Sequence, residues 1–84
     1  MAKYKRIPLT VDVLFTPDGT VKPKKIILGE GSFLVDRIVQ IKRFNPRVVP
    51  CIAPLEYTVM VEGQSKKIYF EPHSNMWFSV KAYE

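Results

Sequence analysis

The last third of the chain alternates between apolar and polar side chains, which predicts strands. Apolar residues recur at every second position of the run YTVMV, and this is the period of a strand with one buried face. Gly63-Gln64 interrupts the run, and a two-residue loop there would place Val59 opposite Ile68. The predicted hairpin collects its core on one face, from Tyr57, Val59, Val61, Ile68 and Phe70.

A third strand follows the loop Pro72-His73-Ser74-Asn75, and the length of that loop decides which way its side chains point. An odd loop turns Phe78 toward the core, whereas an even loop turns Trp77 there, because a slip of one residue inverts a strand. We favour the odd loop, since it buries three apolar side chains instead of one large aromatic. It leaves Trp77 beside Tyr69 on the opposite face. The side chains that it buries are Met76, Phe78 and Val80.

The cleanest alternation covers residues 6–15 and predicts a long strand. Thr16-Pro17-Asp18-Gly19 follows, with proline suited to the first corner of a turn and glycine to the positive φ that closes it. The partner strand is predicted at about residues 20–28, where Pro23 lacks a backbone N–H and indicates a sheet edge or a bend. The apolar side of the first strand consists of Ile7, Leu9, Val11, Val13 and Phe15.

Residues 32–44 fit two kinds of secondary structure. Leu34, Ile38 and Ile41 match a helical stripe, with Ser32 at the N-cap position, but the density of β-branched residues is typical of a strand. We favour the strand. The loop that follows, up to residue 54, contains three prolines and is therefore expected to be stiff and extended.

Five or six short strands joined by hairpins predict an all-β domain. A flat sheet of this length would leave one apolar face in water, so we expect a small antiparallel SH3-like barrel formed as a single domain by residues 1–84. The alternative is an open antiparallel sheet packed by one helix at residues 32–44.

The composition indicates in which compartment this domain is found and which partners it favours. The chain has one cysteine, no apolar run close to the roughly 20 residues of a membrane span, and no apolar signal core after its basic N-terminal residues, so we expect a cytoplasmic monomer. Thirteen Lys and Arg residues against eight acids give a net charge of +5, which mildly favours polyanionic partners but is also common in basic proteins that bind none.

Three segments, TPDGTVKPKKIIL, VDRIVQIKR and YTVMVEGQSKKIYFEPHSNMWFSVK, together resemble a small uncharacterised bacterial family of SH3-like β-barrel proteins. The resemblance covers most of residues 9–81 and implies the same fold. Genes of this family lie near translesion polymerase genes in some bacteria, which implies a link to DNA maintenance. The chain departs from the family after residue 44, where it is rich in proline and the family pattern is rich in glycine.

The residue types that carry catalysis are scarce. His73 lies in a polar turn and Cys51 lies next to Ile52 among prolines, so we interpret them as a solvated side chain and an inert thiol. Metal-ligand spacing and phosphate-binding glycine loops are missing from the sequence, and Gly29-x-Gly31 alone indicates a turn. We therefore expect a non-enzymatic module without a cofactor or metal.

The candidate binding surface is the outer face on which Tyr69 and Trp77 would be neighbours. An aromatic pair edged by lysine is typical of surfaces that stack bases and hold phosphates, so single-stranded nucleic acid is one predicted partner. Exposed aromatics also mark protein-binding patches, so an adaptor for a protein partner is the alternative. A third interpretation is that residues 1–5, through Tyr4, or the proline loop cover the rings. The basic residues assigned to this surface are Lys67, Lys66, Lys42, Arg43 and Arg47.

Overall fold

The chain folds into one curled antiparallel sheet. In a computed structural model, which describes residues 3–45, 47–48 and 52–83, the described residues form seven strands and no helix. The sheet has the strand order β3-β2-β1-β7-β6-β5-β4 and curls into a half-barrel. The all-β antiparallel prediction is confirmed. The strands are β1 (Lys3–Phe15), β2 (Val21–Leu28), β3 (Gly31–Leu34), β4 (Arg37–Arg43), β5 (Leu55–Val61), β6 (Gln64–Glu71) and β7 (Met76–Tyr83).

The predicted strand at residues 32–44 is two strands, β3 and β4, and the expected number of five to six strands is therefore wrong. The division lies at two adjacent residues that bond to opposite sides of the half-barrel. The Val35 N–H donates to the Lys24 carbonyl (2.9 Å), whereas the Asp36 N–H donates to the Met60 carbonyl (2.8 Å). The chain thus crosses from the edge beside β2 to the edge beside β5, which also excludes the helical alternative.

The hairpin between β5 and β6 closes on Glu62 and Gly63, which have positive φ values of 52° and 75°. Positive φ at both central positions is the type I′ geometry that matches the twist of a hairpin. The turn lies one residue earlier than predicted, so Ile68 faces Tyr57 instead of Val59. Because the resulting shift of two residues preserves the faces, all five predicted core residues are buried together.

The odd loop predicted before β7 is wrong. The four residues Pro72–Asn75 form the connection, Asn75 adopts a φ of 53°, and Phe70 pairs with Trp77. The prediction assumed that only one face of this strand is buried. In the structure both faces are buried, so the number of apolar residues on each face does not decide the register.

Two apolar clusters lie on the two sides of the sheet. The inner cluster fills the half-barrel and has as buried members Ile26, Leu55, Tyr57, Val59, Val61, Ile68, Phe70 and Trp77. The outer cluster contains Tyr69, Phe78 and Ala53, with Ile52 and Val80 packed against them. The last part of the proline-containing loop, Ile52 and Ala53, therefore covers the outside of β6 and β7.

The long strand β1 joins both halves of the sheet. Its first part, Lys3–Leu9, pairs with β7, and its second part, Thr10–Phe15, pairs with β2. The register shifts between Asp12 and Val13, opposite the buried Pro23, so of the two predicted alternatives the structure has an irregularity at Pro23 and not a sheet edge, since β2 lies between β3 and β1. Of the predicted apolar face, Phe15 is 69% exposed and therefore does not belong to the core.

Candidate functional site

The aromatic pair expected on the outer face does not form. Tyr69 and Trp77 are 8% and 7% exposed, and they belong to different clusters on opposite sides of the sheet. The cause is the four-residue loop before β7, which turns Trp77 inward and places Phe78 opposite Tyr69. An exposed stacking platform is therefore not available at these two side chains.

Each of the two rings has aromatic neighbours of its own. Trp77 lies 4.6 Å from the Phe70 ring and 5.0 Å from the Tyr57 ring, measured between centroids. Tyr69 stacks on Phe78 at 5.7 Å. These contacts are at the separations that aromatic pairs prefer inside a core, so both rings contribute to stability.

The outer ring pair, Tyr69 with Phe78, is covered by the proline loop, as the third interpretation anticipated for Tyr69 but not for Trp77. Ile52 and Ala53 pack on the outer cluster, and the Arg6 guanidinium lies 4.6 Å from the centroid of Phe78. Arg6 Nη2 also donates to the Ile52 carbonyl at 3.4 Å, which ties this segment to β1. Cys51, Pro46 and Pro50 lie outside the described residues, as does the Tyr4 side chain, so the predictions for them stay predictions.

The two neighbouring lysines of β6 point to opposite sides. Lys67 is opposite Thr58 on the outer face, and its Nζ lies 3.7 Å from Glu56 Oε1. Lys66 is opposite the core residue Val59 and therefore lies on the inner face. The predicted basic group is thus divided between the two sides of the sheet.

The other predicted cations follow the edge strand β4 and the turn after it. Lys42 faces Glu56 on the outer side, which places Lys42 and Lys67 on one surface on either side of that carboxylate. Arg43 faces Leu55, and the exposed Arg47 donates its backbone N–H to Asn45 Oδ1 at 3.0 Å. The edge of β4 is therefore lined with exposed positive charge.

The most distinctive feature of the sheet is a gap between β6 and β7. Their pairing covers three residue pairs and stops at Tyr69↔Phe78. Beyond this point Gln64–Ile68 pairs only with β5, and Ser79–Tyr83 pairs only with β1, so the two strands diverge. The gap therefore presents two strand edges that face each other across an opening.

This gap opens into a cleft on the inner side of the half-barrel. The cleft has a volume of about 420 Å³, within the range of small-ligand pockets, and one side is open. Its polar residues lie at the gap and at the hairpin turn, namely Glu62, Gln64, Lys66, Lys67 and Ser79. Its apolar lining consists of Leu9, Ile26, Leu28, Phe33, Val61 and Ile68.

Sequence reasoning missed this cleft, although β6 carries a signal for it. The first four residues, Gln64–Lys67, are all polar and all exposed, whereas the next three, Ile68–Phe70, are all apolar and all buried. A strand paired along its whole length in a half-buried sheet alternates instead. The abrupt change from polar to apolar marks the point at which β6 joins β7.

Among the described residues, Tyr57 and Asp18 have a perturbed pKa, and neither lines the cleft. Burial raises the pKa of the Tyr57 hydroxyl above its ordinary value of 10.0. Hydrogen bonds from the Thr16 hydroxyl and then from the Thr20 N–H lower the pKa of Asp18 from 3.8 to about 2. Because both groups form hydrogen bonds within the fold, we interpret the two pKa shifts as signs of local stabilisation and not of a catalytic role.

The described residues contain no group of three or more His, Cys, Asp and Glu that could hold a metal ion. His73 is exposed in the turn after β6, where its backbone N–H donates to Glu71 Oε1 at 3.2 Å. A helix of the length and apolarity needed to cross a membrane is also missing from the described residues.

No family model matches the chain, and no curated protein or solved structure is similar to it at a significant level. The gap between β6 and β7, its cleft and the distribution of charge are therefore the features from which a function is inferred. Of these, the gap is the one that ordinary folding of an antiparallel sheet does not require.

Proposed function

We propose that the chain is a non-enzymatic binding module of the SH3-like barrel type, cytoplasmic and monomeric, which binds an extended peptide segment of a protein partner. The peptide lies in the gap between β6 and β7. The observation that carries the proposal is the end of pairing at Tyr69↔Phe78, which leaves two strand edges beside an apolar cleft.

Strand edges are suited to this task because their backbone N–H and C=O groups can pair with an added strand. The open part of β6, Gln64–Ile68, is about 17 Å long at roughly 3.3 Å per residue, enough for five residues of an extended peptide. Alternate side chains of that peptide would enter the cleft, where Ile26, Phe33 and Ile68 offer apolar contacts. Backbone pairing then supplies affinity, and the cleft supplies selectivity.

The side chains around the cleft support binding better than catalysis. Ser79 is the hydroxyl of its lining, and the described lining contains no histidine or cysteine that could act with it as base or nucleophile. The polar groups present are those that orient a bound chain.

The proposal is tested by titrating the protein with the neutral peptide Ser-Val-Thr-Val-Thr-Gln-Thr-Val-Ser and following amide chemical shifts. We expect shifts at Gln64–Ile68 and Ser79–Lys81, because these edges gain hydrogen bonds. Leu28→Gln, on the cleft wall, should weaken binding about threefold to tenfold through lost apolar burial.

Leu34→Gln is the matched control, since Leu34 is 69% exposed on the neighbouring strand β3 and does not line the cleft. It should leave the affinity unchanged. A peptide with proline at alternate positions lacks the donors for strand pairing and should not bind. Shifts confined to other strands, or equal weakening by Leu28→Gln and Leu34→Gln, would disprove the proposal.

Single-stranded nucleic acid is the second candidate partner, and the distribution of charge favours it. Among the described Lys and Arg side chains, only Lys25 and Lys67 form ion pairs with described carboxylates, at 3.5 and 3.7 Å. Arg37 and Lys42 lie along the exposed edge strand β4, and Arg43 lies beside Lys42 on the opposite face, so a phosphate backbone that follows this edge can be contacted from both sides. Such binding agrees with the role in DNA maintenance that the family resemblance implies.

A titration with a twelve-residue oligothymidine tests this second candidate. Each phosphate contact should add about 0.7 to the magnitude of the log–log salt slope, so the double substitution Lys42→Gln with Arg43→Gln should reduce the slope by about 1.4. Lys22→Gln with Lys24→Gln is the control of equal charge on a different strand. An equal effect of the two pairs would show nonspecific attraction without a site on β4.

A further inference from the structure

Three lysines hold matching register positions on β1, β7 and β6 and would form one row across the gap if it closed. Lys5 on β1 is directly opposite Lys81 on β7. Lys66 on β6 lies three residues beyond Tyr69, and Lys81 lies three residues beyond its partner Phe78. If the pairing of β6 with β7 continued, Lys66 would face Lys81 directly.

The orientation of the three side chains follows from strand alternation. Lys66 shares the inner face with Ile68, Lys81 shares it with Ser79 and Trp77, and Lys5 shares it with Ile7 and Leu9. All three lysines are exposed, and none of them forms an ion pair with a described carboxylate.

Like charges on directly opposite positions of neighbouring strands repel each other. A closed sheet would place three ammonium groups on adjacent strands, at Cβ separations of about 5 Å between neighbours. The row therefore opposes closure of the gap three residues beyond the last pair, Tyr69↔Phe78. It leaves a concentration of positive charge beside an apolar cleft.

We infer, on the basis of the proposed peptide binding, that this lysine row recognises an aspartate or glutamate side chain of the bound peptide. The row is two residues along the strands from the level of Ile68 and Ser79. Side chains on one face of a strand also recur every two residues. The recognised segment thus has an acidic residue two positions from an apolar residue that enters the cleft.

A carboxylate between Lys66 and Lys81 removes the cost of the like-charge row and gains charge-assisted hydrogen bonds. The apolar lining next to the row favours an aliphatic side chain over a sugar-phosphate chain, which carries polar groups along its whole length. A peptide that has both a carboxylate and an aliphatic side chain can contact the lysine row and the cleft at the same time. We therefore assign the lysine row to a side-chain carboxylate of a peptide in preference to a phosphate of a nucleic acid.

The experiment compares three peptides of the frame Ser-Val-Thr-Val-Thr-X-Thr-Val-Ser, in which X is Glu, Gln or Lys. At low salt the Glu peptide should bind about tenfold more tightly than the Gln peptide, and the Lys peptide should bind least. Lys66→Gln and Lys81→Gln should each reduce the preference for Glu over Gln to threefold or less.

Lys24→Gln is the control, since Lys24 is an exposed lysine of β2 that does not line the cleft, and it should retain the full preference. If the Gln peptide binds in the gap and the Glu peptide binds no more tightly, the inference fails and the proposed function stands. If no peptide shifts the amides of Gln64–Ile68, both fail. If oligothymidine binds and Lys66→Gln with Lys81→Gln abolishes that binding, the row is a phosphate site and the inference is wrong.

Discussion

The Tyr57 hydroxyl on β5 donates a hydrogen bond to the Val21 carbonyl on β2 at 2.6 Å. Three strands separate β2 from β5 in the sheet, so this bond crosses the interior of the half-barrel and ties its two walls together. Tyr57 is 1% exposed and also packs against Trp77. The Tyr57 side chain thus links the two walls by a hydrogen bond and also packs at the centre of the apolar core.

Tyr57→Phe should lower the free energy of unfolding by about 1 to 2 kcal/mol, because it removes the bond and leaves the Val21 carbonyl without this partner. Chemical denaturation measures the change. The raised pKa of Tyr57 adds a pH test. Its contribution is complete below pH 10 and is lost as pH rises through the folded-state pKa, since the unfolded chain ionises first. The variant should lose less stability than the wild type above pH 10, and an equal loss would contradict the assignment.

The stability of the turn between β1 and β2 should decrease at low pH. The Thr16 hydroxyl and the Thr20 N–H both donate to Asp18, and they lower the pKa of that carboxyl to about 2. A depressed folded-state pKa means that the stabilisation is complete above the ordinary value of 3.8 and is lost as pH falls toward 2. A carboxyl titration followed by NMR should give a midpoint near 2 in the wild type. In Thr16→Val the midpoint should move toward 3.8, and a wild-type midpoint already at 3.8 would show that the hydrogen bonds do not form in solution.

Alternation was a sufficient guide for β5, which packs one face inward. It predicted the burial of Tyr57 with Ile68 although the hairpin turn lies one residue away from its predicted place, because an even shift keeps the faces. It failed at β7, because Trp77 and Phe78 are adjacent and both buried, so alternation does not tell which of the two side chains faces the inner cluster. The covering segment that buries Phe78 is distant in sequence, and no local pattern indicates it.

The candidate site was harder to predict than the fold. Lys66 and Lys67 were both assigned to one surface, yet a strand sends neighbours to opposite sides. The row of Lys5, Lys66 and Lys81 joins residues more than sixty positions apart in sequence, through a pairing of β1 with β7 that no local pattern reveals. Long-range strand order is therefore what the sequence could not provide.

The two ends of the β1 apolar face should differ in importance. Val11 packs against the inner cluster, whereas Phe15 is 69% exposed. Val11→Ala should lower the free energy of unfolding by about 1 to 3 kcal/mol through lost burial and a cavity. Phe15→Ala should change it by less than about 0.5 kcal/mol, as is usual for surface positions. Chemical denaturation of both variants measures these changes. A larger loss of stability for Phe15→Ala than for Val11→Ala would mean that β1 packs in another register.

Removing the charges of the lysine row should stabilise the free protein. The double substitution Lys66→Thr with Lys81→Thr relieves like-charge repulsion and supplies β-branched side chains at the open edges, so the free energy of unfolding should rise by up to about 1 kcal/mol. Hydrogen exchange of the Gln64–Ile68 amides should slow down as β6 and β7 pair further. Lys22→Thr with Lys24→Thr removes the same charge elsewhere and should slow none of these amides. Unchanged exchange in both variants would show that repulsion does not hold the gap open.

Trp77 reports on the inside of the half-barrel. It is 7% exposed and stacked on Phe70, so its emission should be blue-shifted relative to free tryptophan and weakly quenched by acrylamide. Oligothymidine should leave this emission unchanged even if it binds along β4, because the indole is not available for stacking on bases. The matched reporter is Phe15→Trp in a Trp77→Phe background, which places an indole at an exposed position of β1 and should be readily quenched by acrylamide. Red-shifted emission of Trp77, or quenching by oligothymidine, would place the indole outside the core and restore the stacking surface that the sequence pattern indicated.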